Sequence, residues 1–422
     1  MNEKLLQYLW NFKIFKSFDF FDTERNPLEI LDFGRWNFDS GPDFLCGKIK
    51  TKNLTLIGNI ELHLKSSDYI FHRHIGNPEF ENLILHVVFH HDVEIEELRS
   101  KEIPTLELKN HIDRNVLTKY ETLLQAKTFI PCENLFTPNA VPFGFTEETL
   151  LKKLDEKSIQ IEDDLRCHHN NYEAVLFHQL AYAFGLKVNA EIFRLLAESL
   201  DFVVVNKIRQ NLTQLESLFF GICGWLEDPQ DEQMLVWKRE YDFLRAKYQL
   251  KNAILTPKFS KLRPPNFPTI RLSQLATLYH QNPHLFSQII NARNISDIQK
   301  IFGKIEATPY WEDHYNFGKI SNINQKKTLT DDFINLLLIN AVLPMKYHYD
   351  KYSNENTADD ILTFYRNLPP EKNTIIAQWK SLGINFNSTL DSQAYLYHYK
   401  NYCINKRCLE CGIGHRLLKN TV

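Results

Sequence analysis

The period of the hydrophobic pattern changes partway along this chain, and that change limits the possible folds more than any other feature. Up to about residue 125 apolar residues recur in short alternating runs, as strands require; from about 145 to 300 they recur at helical spacing, over Glu173–Gly185, Ala190–Leu200 and Leu212–Trp225. The expectation is an α/β N-terminal domain over residues 1–125, a helical region over 126–255 and a second helical region over 256–422. Thr256–Thr269, with four prolines, reads as the joint between the helical blocks. At 422 residues and 43% hydrophobic the chain is long and apolar enough to build such cores. Forty-nine Lys and Arg against 52 Asp and Glu give a net charge of −3, so a nucleic-acid contact has to be a local patch. Neither a GxGxxG nor a Walker A run occurs. No apolar stretch is long enough to span a membrane, and Met1-Asn-Glu-Lys does not begin a secretory signal, which predicts a cytoplasmic protein without membrane contact. Seven cysteines, an odd number, then read as reduced thiols or metal ligands.

Within the first 125 residues the pattern predicts a helix over Glu3–Phe12, with Leu5, Leu6, Leu9 and Trp10 on its apolar face. Strands are expected over Leu28–Phe33, Asp43–Lys50 and Leu54–Lys65, with a hairpin turn at Thr51-Lys-Asn. An irregular stretch, Ser66–Pro78, leads to a short helix near Glu79 and a buried strand over Leu83–Phe89, with another over Pro104–Leu108. In Asn59–Lys65, Ile60, Leu62 and Leu64 share one face and Glu61, His63 and Lys65 the other. That polar face is either simply solvated or carries chemistry; an anion, an imidazole and a cation in a row are what holding a metal and activating water need. Gly41-Pro-Asp43 opens the preceding strand, and a hairpin brings Asp43 beside Glu61 as a hard-oxygen pair suited to Mg²⁺ or Mn²⁺. Glu29, on the first strand, is an auxiliary candidate.

Pro-Asp followed by Glu-x-His-x-Lys, on a helix–three-strand–helix–strand core, resembles the PD-(D/E)xK nuclease superfamily. The resemblance implies that Asp43 and Glu61 are metal ligands; His63 stands where that family has its Lys, with Lys65 two positions further along. The whole chain also resembles a bacterial family labelled only as a domain of unknown function, through Gly41-Pro-Asp-Phe44, Glu61-Leu-His63, Ser67-Asp68, Ile130-Pro-Cys-Glu133, Phe267-Pro-Thr-Ile-Arg271 and Cys403–Gly414. That second resemblance implies no activity.

Competing sites exist. Glu107-Leu-Lys109 with Asp92 is another carboxylate–lysine set. His63, His72, His74 and His86 fall within 24 residues and with Glu61 make a nitrogen–oxygen set for Zn²⁺ or Mn²⁺, although His86 reads better as a core histidine. Cys403, Cys408 and Cys411 form C-x₄-C-x₂-C, a soft-metal spacing whose fourth ligand is His415 or Cys132. With His415 the site is a zinc knuckle. With Cys132 the arrangement resembles iron–sulfur exonucleases of the PD-(D/E)xK superfamily, which implies a 4Fe–4S cluster, although the spacing of the three differs from theirs. Cys46, Cys167 and Cys223 read as core residues. Arg263 and Arg271, interleaved with aromatics and prolines, and Lys406 and Arg407, within the cysteine segment, are candidate phosphate contacts.

The function expected from the sequence is metal-dependent hydrolysis of DNA phosphodiester bonds by Asp43, Glu61, His63 and Lys65, with nucleic acid as partner. Two alternatives stand beside it: a catalytically inactive nuclease-fold module that binds nucleic acid or supports assembly, and a zinc hydrolase built on the His/Glu cluster.

Overall fold

Asn2 begins the first helix, its side-chain oxygen accepting from the Leu5 N–H, and α1 (Glu3–Asn11) follows. Leu5, Leu6, Leu9 and Trp10 are all fully buried, and Trp10 also donates from Nε1 to the Phe33 carbonyl at 2.9 Å. The computed structural model describes residues 1–51, 54–250, 255–353 and 358–419, so the turn expected at residues 52–53 lies outside the described residues.

The strands are β1 (Phe20–Phe21), β2 (Pro27–Asp32), β3 (Arg35–Trp36), β4 (Phe44–Thr51), β5 (Leu54–Lys65), β6 (Leu83–His90) and β7 (Thr105–Glu107). They form one seven-stranded sheet in the order β1-β2-β4-β5-β6-β7, with β3 paired to β4. Pairing is antiparallel from β1 to β5, then parallel from β5 through β7. A parallel neighbour needs a crossover. Here the stretch read as irregular supplies it, with α2 (Asp68–Phe71) and a 3₁₀ turn, Pro78–Phe80. Ile60, Glu61, Leu62 and His63 are all buried, so β5 is covered on both faces where it meets β6. The polar face of β5 is therefore not a solvated one at Glu61 and His63.

Two compact units make up the chain. The first is Met1–Phe145 with Thr374–Asn385 and Leu396–Val422; the second is Thr146–Asn373 with Phe386–Tyr395. The cysteine segment near the C-terminus thus belongs to the unit that contains the sheet. A linear division at 125 and 255 does not see this, because composition reports neighbours in sequence and not the return of the chain.

The second unit is mainly helical. It includes α6 (Tyr172–Phe184), α7 (Leu186–Glu198), α9 (Leu212–Ile222) and α11 (Pro268–Gln281), numbered with α3 (Glu96–Ser100), α4 (Arg114–Gln125), α5 (Phe145–Cys167), α8 (Phe202–Ile208) and α10 (Glu232–Tyr248). Trp311 packs in its core, with Tyr315 and Phe317 against it. Helix α11 is buried along Pro268–Tyr279. Arg271 therefore does not face a phosphate backbone: it is 4% exposed, bonded to Gln274 and Asn266, and lies 3.5 Å over the Phe333 ring. Two cysteines also depart from expectation. Cys223 is buried, but Cys46 and Cys167 are exposed. Cys46 sits at a β-bulge with φ of 59°, which turns it off the buried face, and Cys167 ends α5 in a charged stretch.

Gly58 is where β5 and the entry to β6 come closest: a Cβ there would stand 2.5 Å from the Asn82 carbonyl oxygen and 2.5 Å from Ile84 Cγ2. The Asn82 oxygen accepts from Asn59 N–H at 2.8 Å and cannot withdraw without breaking the first link between the strands. Gly58→Ala should lower stability by about 1–3 kcal/mol, read as an earlier urea midpoint. An unchanged midpoint would show that this close approach is not needed.

Candidate metal and catalytic site

The site begins with strand register. Phe44 pairs with Ile60, which sets Asp43 opposite Glu61. The Asp43 N–H donates to Glu61 Oε2 at 3.0 Å, and the Leu62 N–H donates to Asp43 Oδ2 at 3.0 Å. Gln7 of α1 donates from Nε2 to Asp43 Oδ1 at 2.6 Å. Glu3, one helical turn before Gln7, adds a third carboxyl whose charge is felt by both Asp43 and Glu61.

The imidazoles come from the parallel half of the sheet. Glu61 pairs with His86 across β5 and β6, and His63 Nδ1 lies 3.1 Å from His86 Nε2. The crossover folds back so that the rings of His72 and His74 sit 5.0 and 5.2 Å from that of His63. One nitrogen from each of these three histidines lies within 4.8 Å of the others. Glu61 Oε1 is 3.3 Å from His74 Nε2 and 3.6 Å from His63 Nε2. These approaches are close in distance but are not aligned as hydrogen bonds, and both nitrogens are buried without such a partner.

Electrostatics explains what this set lacks. Burial raises the carboxyls of Asp43 and Glu61 well above the carboxylate range, Asp43 further because of Glu61, and the N–H donors only partly oppose this. Burial pushes His63 down to about 2 and His86 to about 3, so both rings are neutral at ordinary pH. Buried carboxyls that resist ionising and neutral imidazoles with unpaired nitrogens are together a donor set that could hold a divalent cation. The mixture of nitrogen and oxygen suits Mn²⁺ or Zn²⁺ better than an all-oxygen Mg²⁺ site.

Other candidates fall elsewhere. Lys65 is exposed at the end of β5. Glu29 pairs with Lys50, which pairs with Thr55, six residues along β5 from Glu61 or roughly 20 Å. The carboxylate–lysine alternative is not assembled: Glu107 accepts from His90 and the His91 N–H, while Asp92 accepts from Ser67. Arg263 is exposed, Arg407 pairs with Glu410, and the Lys406 ammonium donates to the Leu124 carbonyl. Cys132 lies with Cys403, Cys408 and Cys411, whereas His415 Nδ1 is 2.8 Å from Tyr8 Oη. In the second unit Ser158 Oγ lies 2.8 Å from His348 Nδ1, but His348 Nε2 stands 3.6 Å from Glu162 without a hydrogen bond, and Ser158 and His348 are 2% and 0% exposed, so no substrate reaches the hydroxyl. Gln7, Glu3 and the tethering role of His86 were not read from the sequence. The polar i, i+4 pair on α1 was the signal for the first two.

The pH dependence follows from these directions. Raised carboxyl pKa values mean that the fold holds protons the unfolded chain releases, so their stabilisation is present at low pH and lost as pH rises through the raised range. Lowered His63 and His86 act oppositely, but only below about pH 6.5, where the unfolded chain takes up their protons. Above that pH the imidazoles no longer oppose the carboxyls, and buried Glu216 and the buried thiols, also raised, act in the same direction. Metal-free protein should lose stability as pH rises from 6.5 to 9 in chelator, and Mn²⁺ should flatten the curve. Urea midpoints that rise with pH in chelator would contradict this account.

No curated protein and no solved structure matches the chain. Among the described residues no helix is long and apolar enough to cross a membrane. A family described as "Protein of unknown function (DUF2851)" matches residues 3–374, and the chain belongs to that family.

Proposed function

We propose that this protein is a metal-dependent nuclease that hydrolyses DNA phosphodiester bonds through a PD-(D/E)xK-like site. The observation that carries the reading is the meeting of Asp43 and Glu61 where an antiparallel hairpin gives way to a parallel strand, with α1 contributing Gln7. Asp43, Glu61, His63 and His74 would hold a divalent cation, which supplies Lewis acidity toward a phosphoryl oxygen and lowers the pKa of a water. Gln7 fixes the rotamer of Asp43, and His86 fixes the ring of His63. His63, in the family's Lys position, is neutral and serves as a ligand rather than a charge. Lys65 is left to attract an anion from outside.

The nearby surface supports a nucleic-acid substrate. A groove of about 1000 Å³ runs past Gln7 and is lined by Lys4, Trp36, Phe38, Lys406 and Arg407. Phe38 is 83% exposed and stacks on Trp36, ring centroids 5.2 Å apart at 29°. The solvent-facing aromatic stack offers base stacking, with Lys4 lining the same groove, since Arg407 is paired with Glu410 and Lys406 with the Leu124 carbonyl.

Purified protein should nick DNA with Mn²⁺, and Asp43→Ala or Glu61→Ala should lower the rate by at least about 100-fold, roughly 2.7 kcal/mol in the barrier. Lys65→Ala should cost far less. Phe38→Ala should weaken single-stranded DNA binding by about 1–3 kcal/mol while leaving metal binding intact. If the protein binds DNA equally well with and without Asp43 and never cuts, it is an inactive binding module instead.

The three-histidine cluster favours one other reading, a zinc hydrolase acting on something other than nucleic acid. That reading predicts one zinc retained after Cys132, Cys403, Cys408 and Cys411 are all changed to Ser, and lost in His72→Ala with His74→Ala.

A further inference from the structure

The site beside β5 holds more nitrogen than one cation on the carboxyl pair needs. A cation on Asp43, Glu61, His63 and His74 leaves out His72, whose ring lies 5.0 Å from that of His63 and 5.7 Å from that of His74. One donor nitrogen from each of these three histidines nevertheless lies within 4.8 Å of the others. A single point therefore stands within about 2.8 Å of all three (4.8 Å divided by √3), and shifts of under about 1 Å bring them to the roughly 2.0–2.1 Å of a zinc–imidazole bond. A fourth donor stands with them. Glu61 Oε1 is 3.3 Å from His74 Nε2 and 3.6 Å from His63 Nε2, both buried without a hydrogen-bond partner, while Glu61 Oε2 is taken by the Asp43 N–H.

The crossover sets these rings locally. Asp68 begins α2 just past β5, and its side chain accepts from the Lys65 N–H at 2.9 Å. The His72 N–H donates to the Asp68 carbonyl at 2.8 Å, Arg73 turns the chain with φ of 61°, and the His74 N–H returns to the Tyr69 carbonyl at 3.2 Å. Phe80 packs on the His74 ring at 4.0 Å. His74 is thus held from behind, whereas His72 is exposed and approaches from the solvent side.

Two cation positions share this donor set. Asp43, Glu61, His63 and His74 suit a cation of six-fold preference such as Mn²⁺, which keeps places for water and substrate. His63, His72, His74 and Glu61 Oε1 offer three nitrogens and one oxygen. Four protein ligands complete a tetrahedral zinc and leave it no open place, as in structural rather than catalytic zinc sites. Nitrogen-rich donors also bind zinc more tightly than Mn²⁺. The two positions have three residues in common, so one cation excludes the other. Building on the nuclease reading of this site, we propose that zinc is its inhibitor: held by His63, His72, His74 and Glu61, it displaces the working cation and closes the site, and His72 is the residue that gives zinc this position.

The test is competition on the full chain, read by the paramagnetic resonance signal of free Mn²⁺. Zinc should release the bound Mn²⁺ and stop nicking. His72→Ala should still bind Mn²⁺ and should need at least about tenfold more zinc to release it. His72 is exposed, so its removal leaves the core packing in place. Zinc taken up by thiols releases no Mn²⁺ and does not enter the reading. Mn²⁺ that stays bound in excess zinc, equal release from His72→Ala and the unaltered protein, or nicking by the zinc form at the Mn²⁺ rate would each overturn the proposal. If zinc displaces Mn²⁺ through His72 but no DNA is cut with either cation, the exclusion stands and the nuclease reading alone fails. If no Mn²⁺ binds, both fail.

Discussion

Everything around the candidate site depends on a reciprocal lock between two strands. Asp43 gives its N–H to Glu61 and takes the N–H of Leu62 in return, so the two carboxyls fix the end of the β4–β5 hairpin where the β-bulge interrupts the ladder. The lock holds two groups of like charge in a buried place, which is unfavourable unless a proton or a cation is shared between them. The backbone therefore carries a standing electrostatic demand at one point of the sheet, and the surrounding side chains are arranged about it.

The parallel pairing of β5 with β6 supplies that surrounding. Parallel strands are covered on both faces, so the polar residues of β5 are buried with their neighbours instead of facing water. A lysine at position 63 would place an ammonium in that dry pocket against His86. An imidazole fits because one nitrogen is held by His86 while the other lies 3.6 Å from Glu61 without a hydrogen bond. His63 is a neutral nitrogen donor, and the crossover histidines, His72 and His74, bring two more beside it.

The last part of the first unit answers a different physical problem. Its three chain segments include residues 396–422, which are separated from the sheet by most of the sequence. Ordering a distant chain end costs conformational entropy, and the burial of its side chains, Cys403, Cys408 and Cys411 beside Cys132 among them, offsets that cost.

The sequence by itself determined the elements and much of the site. Period-two alternation marked β2, β4 and β5, a buried apolar run marked β6, helical spacing marked α1, α6, α7 and α9, and the hairpin arithmetic put Asp43 beside Glu61, because these depend on short-range geometry that residue order records. Tertiary structure alone decided which polar groups are buried. Lys65 and Glu61 share a strand face in the sequence, yet one is solvent-exposed and the other closed in; Arg271 and Arg263 share a basic stretch, yet only Arg271 is enclosed by its helix's neighbours. It also decided that Cys132 and not His415 joins the C-terminal cysteines, and that Gln7 reaches Asp43. Burial and long-range partnership arise from how distant segments pack, and spacing along the chain carries no record of that.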